Sequence, residues 1–360
     1  MAHDSGAINL SQGFPDFPVD DTLIQLCSRF MREGHNQYAP MAGHPALLES
    51  ISKMCEQEYK RALDPETEIT ITTGATEGLY AVITAFISPG DEVILFDPAY
   101  DSYDPAIRLN GGIPKHIALS PPDFSIDWQE VRKAISRKTK MIIINTPHNP
   151  TGAVLRETDL RALEEIVLEF GLLVLSDEVY ERIIFDGLCH QSILRSPVLK
   201  DRAIAVFSFG KTLHATGWRV GYTIASPILT KEIRKIHQFI TFSVNTPIQL
   251  ALAEYIQKSE HYLSLGKFFQ SKRDFFLQKI KGSSFEPLPS KGSYFQLVSY
   301  RNISNKPEIE MAEELTRKYK VAAIPVSVFY QAKTDNQLLR FCFAKKEDTL
   351  ERACQVLQKL

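Results

Sequence analysis

Ala203-Ile204-Ala205-Val206-Phe207-Ser208-Phe209-Gly210-Lys211 runs from five apolar residues into a hydroxyl, a glycine and a lysine, and Arg219 follows eight residues after the lysine. The apolar run reads as a strand buried on both faces. The stretch from Ser208 to Tyr222 then reads as a glycine-punctuated loop that presents Ser208, Lys211 and Arg219 together at the strand's carboxyl end. In open α/β sheets, ligands bind beyond the carboxyl ends of the strands. A lysine desolvated there can act as a nucleophilic amine, and a hydroxyl with a guanidinium suits a phosphate. The combination points to a covalent cofactor that carries a phosphate.

Other parts of the chain repeat this pattern. Ile69-Thr70-Ile71-Thr72, Glu92 to Phe96, Met141 to Ile144 and Leu172 to Leu175 are short β-rich runs, most of them continuously apolar. Between them, Leu79, Val82, Ile83 and Phe86 keep helical spacing on one face, as do Leu160, Leu163, Ile166, Val167 and Phe170. The alternation predicts an α/β large domain with a mostly parallel central sheet. Polar residues follow each run at once: Gly74-Ala75-Thr76, Tyr100, Asn145 with Asn149, Asp177, and Ser208 with Lys211. Five constellations are therefore expected along one edge of one sheet.

From about Lys281 the texture changes, with Gly282, Pro287, Pro289 and Gly292 in close succession. Strand-like Ser293 to Val298, a helical segment near Ile309 to Tyr319, and Leu338 to Ala344 follow. The expected organisation is a large domain over residues 40–280 and a smaller α+β domain built from residues 1–39 and 281–360.

With 44% hydrophobic and 23% charged residues and a net charge of −2, the chain of 360 residues has ordinary globular composition and no nucleic-acid footprint. No apolar run approaches the ~18 residues of a membrane span. Met1-Ala2-His3-Asp4-Ser5-Gly6 shows neither the basic region nor the apolar core of an export signal. The five cysteines are irregularly spaced and fit reduced thiols, so a cytoplasmic location is expected. Cys189-His190 has no second pair at ligand spacing, and no metal site is expected.

Each constellation has its own chemistry. Lowering the pKa of Lys211 from ~10.4 by burial or a nearby cation frees a neutral amine for an aldehyde. Asp177, buried after a strand, must be paired; against a pyridine nitrogen it would keep that nitrogen protonated, though Asp also suits a helix N-cap. Asn149 sits in a turn stiffened by Pro147 and Pro150, and His148 beside it reads as a solvated turn residue. Gly74-Ala75-Thr76 opens a helix whose free N–H groups attract phosphate. Tyr100 can lie over an aromatic ring or simply pack in the core. Arg340, within Leu338-Leu339-Arg340-Phe341-Cys342, needs an anion, from a ligand carboxylate or a structural salt bridge. Ser208-x-x-Lys211 also resembles an acyl-transfer motif, which calls for Ser-Asp-Asn and Lys-Thr-Gly; neither occurs.

Asn149-Pro150-x-Gly152, Asp177-x-x-Tyr180 and Ser208-x-x-Lys211 with Arg219 together resemble the pyridoxal-phosphate-dependent transferases of fold type I, among them the class I/II aminotransferases. The resemblance runs from Ile8 to the C-terminus. Asn9-Leu10-Ser11-Gln12-Gly13-Phe14-Pro15-Asp16, Asn36-Gln37-Tyr38-Ala39-Pro40 and Phe242-Ser243-Val244-Asn245-Thr246-Pro247 bring it nearest to the methionine aminotransferases and the kynurenine/glutamine transaminase K group. It implies an aminotransferase that passes the amine of a neutral L-amino acid, methionine or aromatic, to a 2-oxo acid. Lys211 would carry the internal aldimine and move the proton. Asp177 would pair with the pyridinium nitrogen, Asn149 and Tyr180 would hold the phenolic oxygen, and Tyr100 would stack on the ring. Ala75, Thr76, Ser208 and Arg219 would bind the phosphate, with Tyr38 entering from the second subunit of a homodimer. Arg340, Asn149 and the Gly13 backbone would take the substrate carboxylate, and Phe14, Tyr38, Tyr100 and Val244 would line an apolar pocket. The alternative within the same chemistry is a cysteine-conjugate β-lyase. Family members carry a longer segment before the Asn9 motif, one that covers the substrate or embraces the partner.

Overall fold

Strands with two apolar faces satisfy both only in the middle of a layered structure, and the computed structural model, which describes residues 1–360, places them there. In chain order the strands are β1 (Ile8–Asn9), β2 (Ile69–Thr72), β3 (Glu92–Asp97), β4 (Ile113–Ala118), β5 (Thr139–Asn145), β6 (Leu173–Asp177), β7 (Ala203–Ser208) and β8 (Gly221–Ile224), then β9 (Glu286–Pro287), β10 (Phe295–Ser299), β11 (Val321–Ala322), β12 (Ile324–Pro325) and β13 (Leu338–Cys342). The central sheet has seven strands in the order β2-β8-β7-β6-β5-β3-β4. The pairs from β7 to β4 are parallel, and β8 alone runs against its neighbours.

That reversed strand is the main departure from the expected loop between Ser208 and Tyr222. The chain turns back directly after Lys211 and pairs Ser208 with Gly221. Because β8 is antiparallel, its beginning lies at the same edge as the ends of β2, β5, β6 and β7. Arg219, two residues before β8, is thereby delivered to the edge where Lys211 stands.

Helices cross over between the parallel strands and cover the sheet. Gly74–Phe86 buries Leu79, Val82 and Ile83, and Glu157–Phe170 buries Leu160, Leu163, Ile166 and Val167 before Gly171 ends it in the left-handed conformation. Each such side chain removed from water contributes about 1.5–3 kcal/mol. Phe170, expected on the buried face, is exposed instead.

A second sheet, β12-β13-β10-β9, is antiparallel and carries its own core. That core includes Phe295, Val298, Leu339 and Phe341, helices Glu308–Arg317 and Glu347–Leu357, and also Phe269, Phe276 and Ile280 of helix Leu265–Ile280, just before the expected boundary at 281. β1 pairs in parallel with β11, tying the N-terminal residues to this part. No helix is long and apolar enough to cross a membrane.

Candidate active site

One cavity of about 460 Å³ opens at the carboxyl edge of the central sheet and is closed from the other side by the second sheet. The structure brings together around it Gly13, Ala75, Thr76, Tyr100, Asn149, Asp177, Tyr180, Ser208, Lys211, Arg219 and Arg340. Among the residues expected from sequence to hold the cofactor or the substrate carboxylate, only Tyr38 lies outside. It is 81% exposed and packs edge-on against Phe242, ring centres 5.4 Å apart.

Asp177 ends β6 and is 3% exposed. Burial pushes its carboxyl up to about 6, against the pull of a hydrogen bond from the Tyr103 hydroxyl to Oδ2 at 2.6 Å. The Val179 N–H also donates to Oδ1, at 3.3 Å. Sequence reasoning missed Tyr103, which opens the helix Tyr103–Leu109 and packs its ring edge-on against Tyr100, centres 5.6 Å apart. Tyr103→Phe removes a donor that favours the charged carboxylate, so the Asp177 pKa rises further. Affinity for a cationic ring partner should then fall most at the acid end of a pH 6 to 9 series, by up to about tenfold. An equal loss at every pH would contradict that role.

Lys211 stands in the first turn after β7, with Nζ 5.6 Å from the centre of the Tyr180 ring and 5.5 Å from that of Tyr294. Burial pushes its amine down to about 8, opposed by Asp177 and aided by Arg219 and Arg340. At pH 7 roughly one amine in ten is then in the neutral, nucleophilic form, far more than for a free lysine. Nζ donates to the Tyr294 hydroxyl at 2.9 Å. Tyr294 was not foreseen as a site residue, since its meeting with Lys211 spans 83 positions of sequence.

One end of the cavity is built at the start of helix Gly74–Phe86, where the N-cap Thr73 side chain makes no capping hydrogen bond. The N–H groups of Ala75 and Thr76 are among the unpaired donors of that turn and line the cavity. Gly74 has φ +73°, and a Cβ there would meet Nη2 of Arg219 at 2.6 Å. Only glycine lets the guanidinium lie against the helix end. Arg219 is itself left-handed, at φ 54°, and Nη1 donates to the Thr216 carbonyl.

Arg340, 7% exposed, sits on β13 with Cζ 4.0 Å from the centre of the Phe295 ring. Nη1 donates to Asn149 Oδ1 at 2.8 Å and Nη2 to the Ser11 carbonyl at 3.0 Å. Neither partner is charged, and Nε has none. The structural salt bridge open to it on sequence grounds is thus absent, and a buried cation faces the cavity without an anion. Asn149, with its amide oxygen turned to Arg340, keeps its Nδ2 hydrogens free.

Three expectations about the surroundings change. Val244 is buried in the large core rather than lining the cavity, because Asn245 caps the helix Thr246–Tyr255 and draws the preceding residue inward. Phe14 is exposed beside Lys345, and of the four expected apolar residues only Tyr100 lines the cavity; its other apolar walls include Phe295, Ile324, Val328 and Phe329. His148 is buried, not solvated: its turn folds back through hydrogen bonds between His148 and both Ala153 and Gly152, and its ring contacts Thr151 Oγ1 at 2.7 Å. Burial lowers its pKa to about 4.

A family model for aminotransferase class I and II matches residues 5–357. The chain is 49% identical to methionine aminotransferase of Escherichia coli (strain K12), covering 100% of this chain and 94% of that one. It is 33% identical to kynurenine–oxoglutarate transaminase 3 of Homo sapiens, over 99% of this chain and 86% of that one. A solved structure of the E. coli methionine aminotransferase superposes with a TM-score of 0.98 at 49% identity, covering 100% and 94% of the two chains. The N-succinyldiaminopimelate aminotransferase of Mycobacterium tuberculosis superposes with a TM-score of 0.96 at 33% identity, covering 99% and 94%. These relatives are transaminases, which disfavours the β-lyase alternative.

Proposed function

The chain belongs to the class I and II aminotransferases, and we propose that it moves the amine of a neutral L-amino acid, methionine or an aromatic one, to a 2-oxo acid. It is a transaminase, and pyridoxal 5′-phosphate is its cofactor. The observation that carries the choice of donor is the charge pattern of the cavity, whose cations are Lys211, Arg219 and Arg340 alone. Each has a task, and none is left to hold a second carboxylate on a donor side chain. Ile324, Val328 and Phe329 offer that side chain an apolar wall.

The residues present fit the cofactor. The uncapped helix start at Gly74 with Arg219 against it forms a phosphate cradle, completed by Ala75, Thr76 and Ser208. Asp177 would hold the ring nitrogen, Tyr100 would cover the ring, and Asn149 and Tyr180 would hold the phenolic oxygen. Bound pyridoxal phosphate supplies an aldehyde that condenses with amines and a protonated ring that withdraws electrons from the substrate α-carbon. Lys211 then has two tasks: to hold the cofactor covalently between turnovers, and to take the proton from the α-carbon once its amine is free. Arg340 fixes the substrate carboxylate as a two-pronged donor, with the Asn149 side chain and the Gly13 backbone beside it.

The proposal extends to a homodimer in the cytoplasm. Tyr38 lies outside its own cavity, exposed beside Phe242, a position suited to reaching a second subunit's phosphate. The division into residues 40–280 and residues 1–39 with 281–360 belongs to the same reading, with helix Leu265–Ile280 leaning on the smaller part.

A stopped-flow series of single half-reactions tests the donor class. Methionine and phenylalanine should discharge the visible band of the cofactor-loaded protein at micromolar to millimolar concentrations, and aspartate should leave it nearly unchanged. Aspartate reacting faster than methionine would overturn the assignment.

A further inference from the structure

We propose that Tyr294 is a positioning residue for the Lys211 amine: its phenolic oxygen accepts a hydrogen bond from Nζ while its own proton is held by the Gly13 carbonyl. The proposal rests on the reading of Lys211 as the lysine that bonds the cofactor and moves the proton.

The geometry fixes the direction of both bonds. The Tyr294 hydroxyl donates to the Gly13 carbonyl at 2.5 Å, and a phenol has a single proton to give. Toward Lys211 it can therefore only accept, at 2.9 Å. The Gly13 carbonyl is also 3.4 Å from Nζ. A neutral amine has two hydrogens and one lone pair. With both hydrogens directed at Tyr294 and Gly13, the lone pair is left pointing away from them. The tyrosine orients the base without protonating it, and burial holds the phenol neutral by raising its pKa well above the ordinary value.

The hydroxyl is rigidly placed. Tyr294 is 0% exposed, and its ring packs edge-on against Tyr180 at 5.0 Å and Phe295 at 4.9 Å, with Phe269 at 5.7 Å. Gly13 completes the arrangement by close approach: a Cβ there would meet Phe295 Cζ at 2.7 Å. The loop that brings substrate-binding backbone to the site is thus pinned to the same oxygen that orients the base.

Tyr294→Phe tests the proposal, because it keeps the ring packing and removes only the oxygen. In cofactor-free protein, the pH dependence of Lys211 acylation is followed by peptide mass spectrometry. The other titratable and charged groups facing the amine are Asp177, Tyr180, Arg219, Arg340 and Cys342, all unchanged in the variant. An acceptor favours the ammonium form, so its loss should lower the acylation midpoint by about half to one pH unit. In the loaded enzyme, kcat with methionine should fall about tenfold while KM stays within about twofold. An unchanged midpoint together with an unchanged kcat overturns the positioning role, as does an equal loss in KM alone. Cofactor found on a lysine other than Lys211 would instead overturn the underlying reading, whatever Tyr294→Phe does. A melting curve matching the parent's confirms that the comparison is between folded proteins, and Gly13→Ala, which displaces the shared carbonyl, should shift the midpoint in the same direction.

Discussion

Lys211→Ala is expected to abolish turnover and to remove the visible absorbance that a covalently held cofactor gives, while the protein stays folded. Losing a positioned proton-transfer group costs about 10²–10⁴-fold by itself. Here the same substitution also removes the covalent anchor, so residual activity should fall below detection. The amine sits where it can perform both tasks: buried enough to lie near a pKa of about 8, and close to Asp177, Arg219 and Arg340 around one cavity. Folding should not suffer, because the side chain makes no ion pair within 4.0 Å, and its hydrogen bonds go to Tyr294 and Gly13 alone. Normal spectra and normal turnover in the variant would remove Lys211 from the mechanism.

Asp177→Asn should give the second largest effect, with the opposite spectral outcome. The shape is kept and Tyr103 still finds an oxygen, but a neutral amide cannot hold a ring nitrogen in its protonated form. A hydrogen bond between charged partners is worth about 1.5–3 kcal/mol. Its loss alone predicts a drop in kcat of about tenfold to a hundredfold, and loss of electron withdrawal adds to that. Cofactor should still attach to Lys211, so the visible band persists while turnover fails. A kcat within twofold of the parent would contradict the pairing. The parent carboxyl, pushed up to about 6 by burial, should be drawn down by a cationic partner, so loading with cofactor ought to release protons near pH 6.

Why so much of the site was readable from sequence follows from the topology. Runs such as Met141–Ile144 and Ala203–Phe207 are apolar at every position, which marks them as interior strands. In a parallel sheet all such strands end on one edge, so the polar residues after them must meet, and Asn149, Asp177 and Lys211 all line one cavity. Arg340 was legible for a different reason: a guanidinium in an apolar run has to find an anion. What stayed hidden depends on contacts between distant segments. Tyr103 and Tyr294 are ordinary aromatic residues in sequence, and only packing across 74 and 83 positions turns their hydroxyls toward Asp177 and Lys211. Val244 was misplaced because a helix cap decides its direction, and His148 because its turn folds inward rather than into solvent. The antiparallel β8 was overlooked because Gly221–Ile224 is short and begins directly after a loop rich in functional residues.

Borohydride reduction of the cofactor-loaded protein, followed by peptide mass mapping, tests the central claim most directly. A phosphopyridoxyl mass increment on the peptide containing Lys211, and on no other, is the expected result; the increment on a different lysine, or on none, would contradict it.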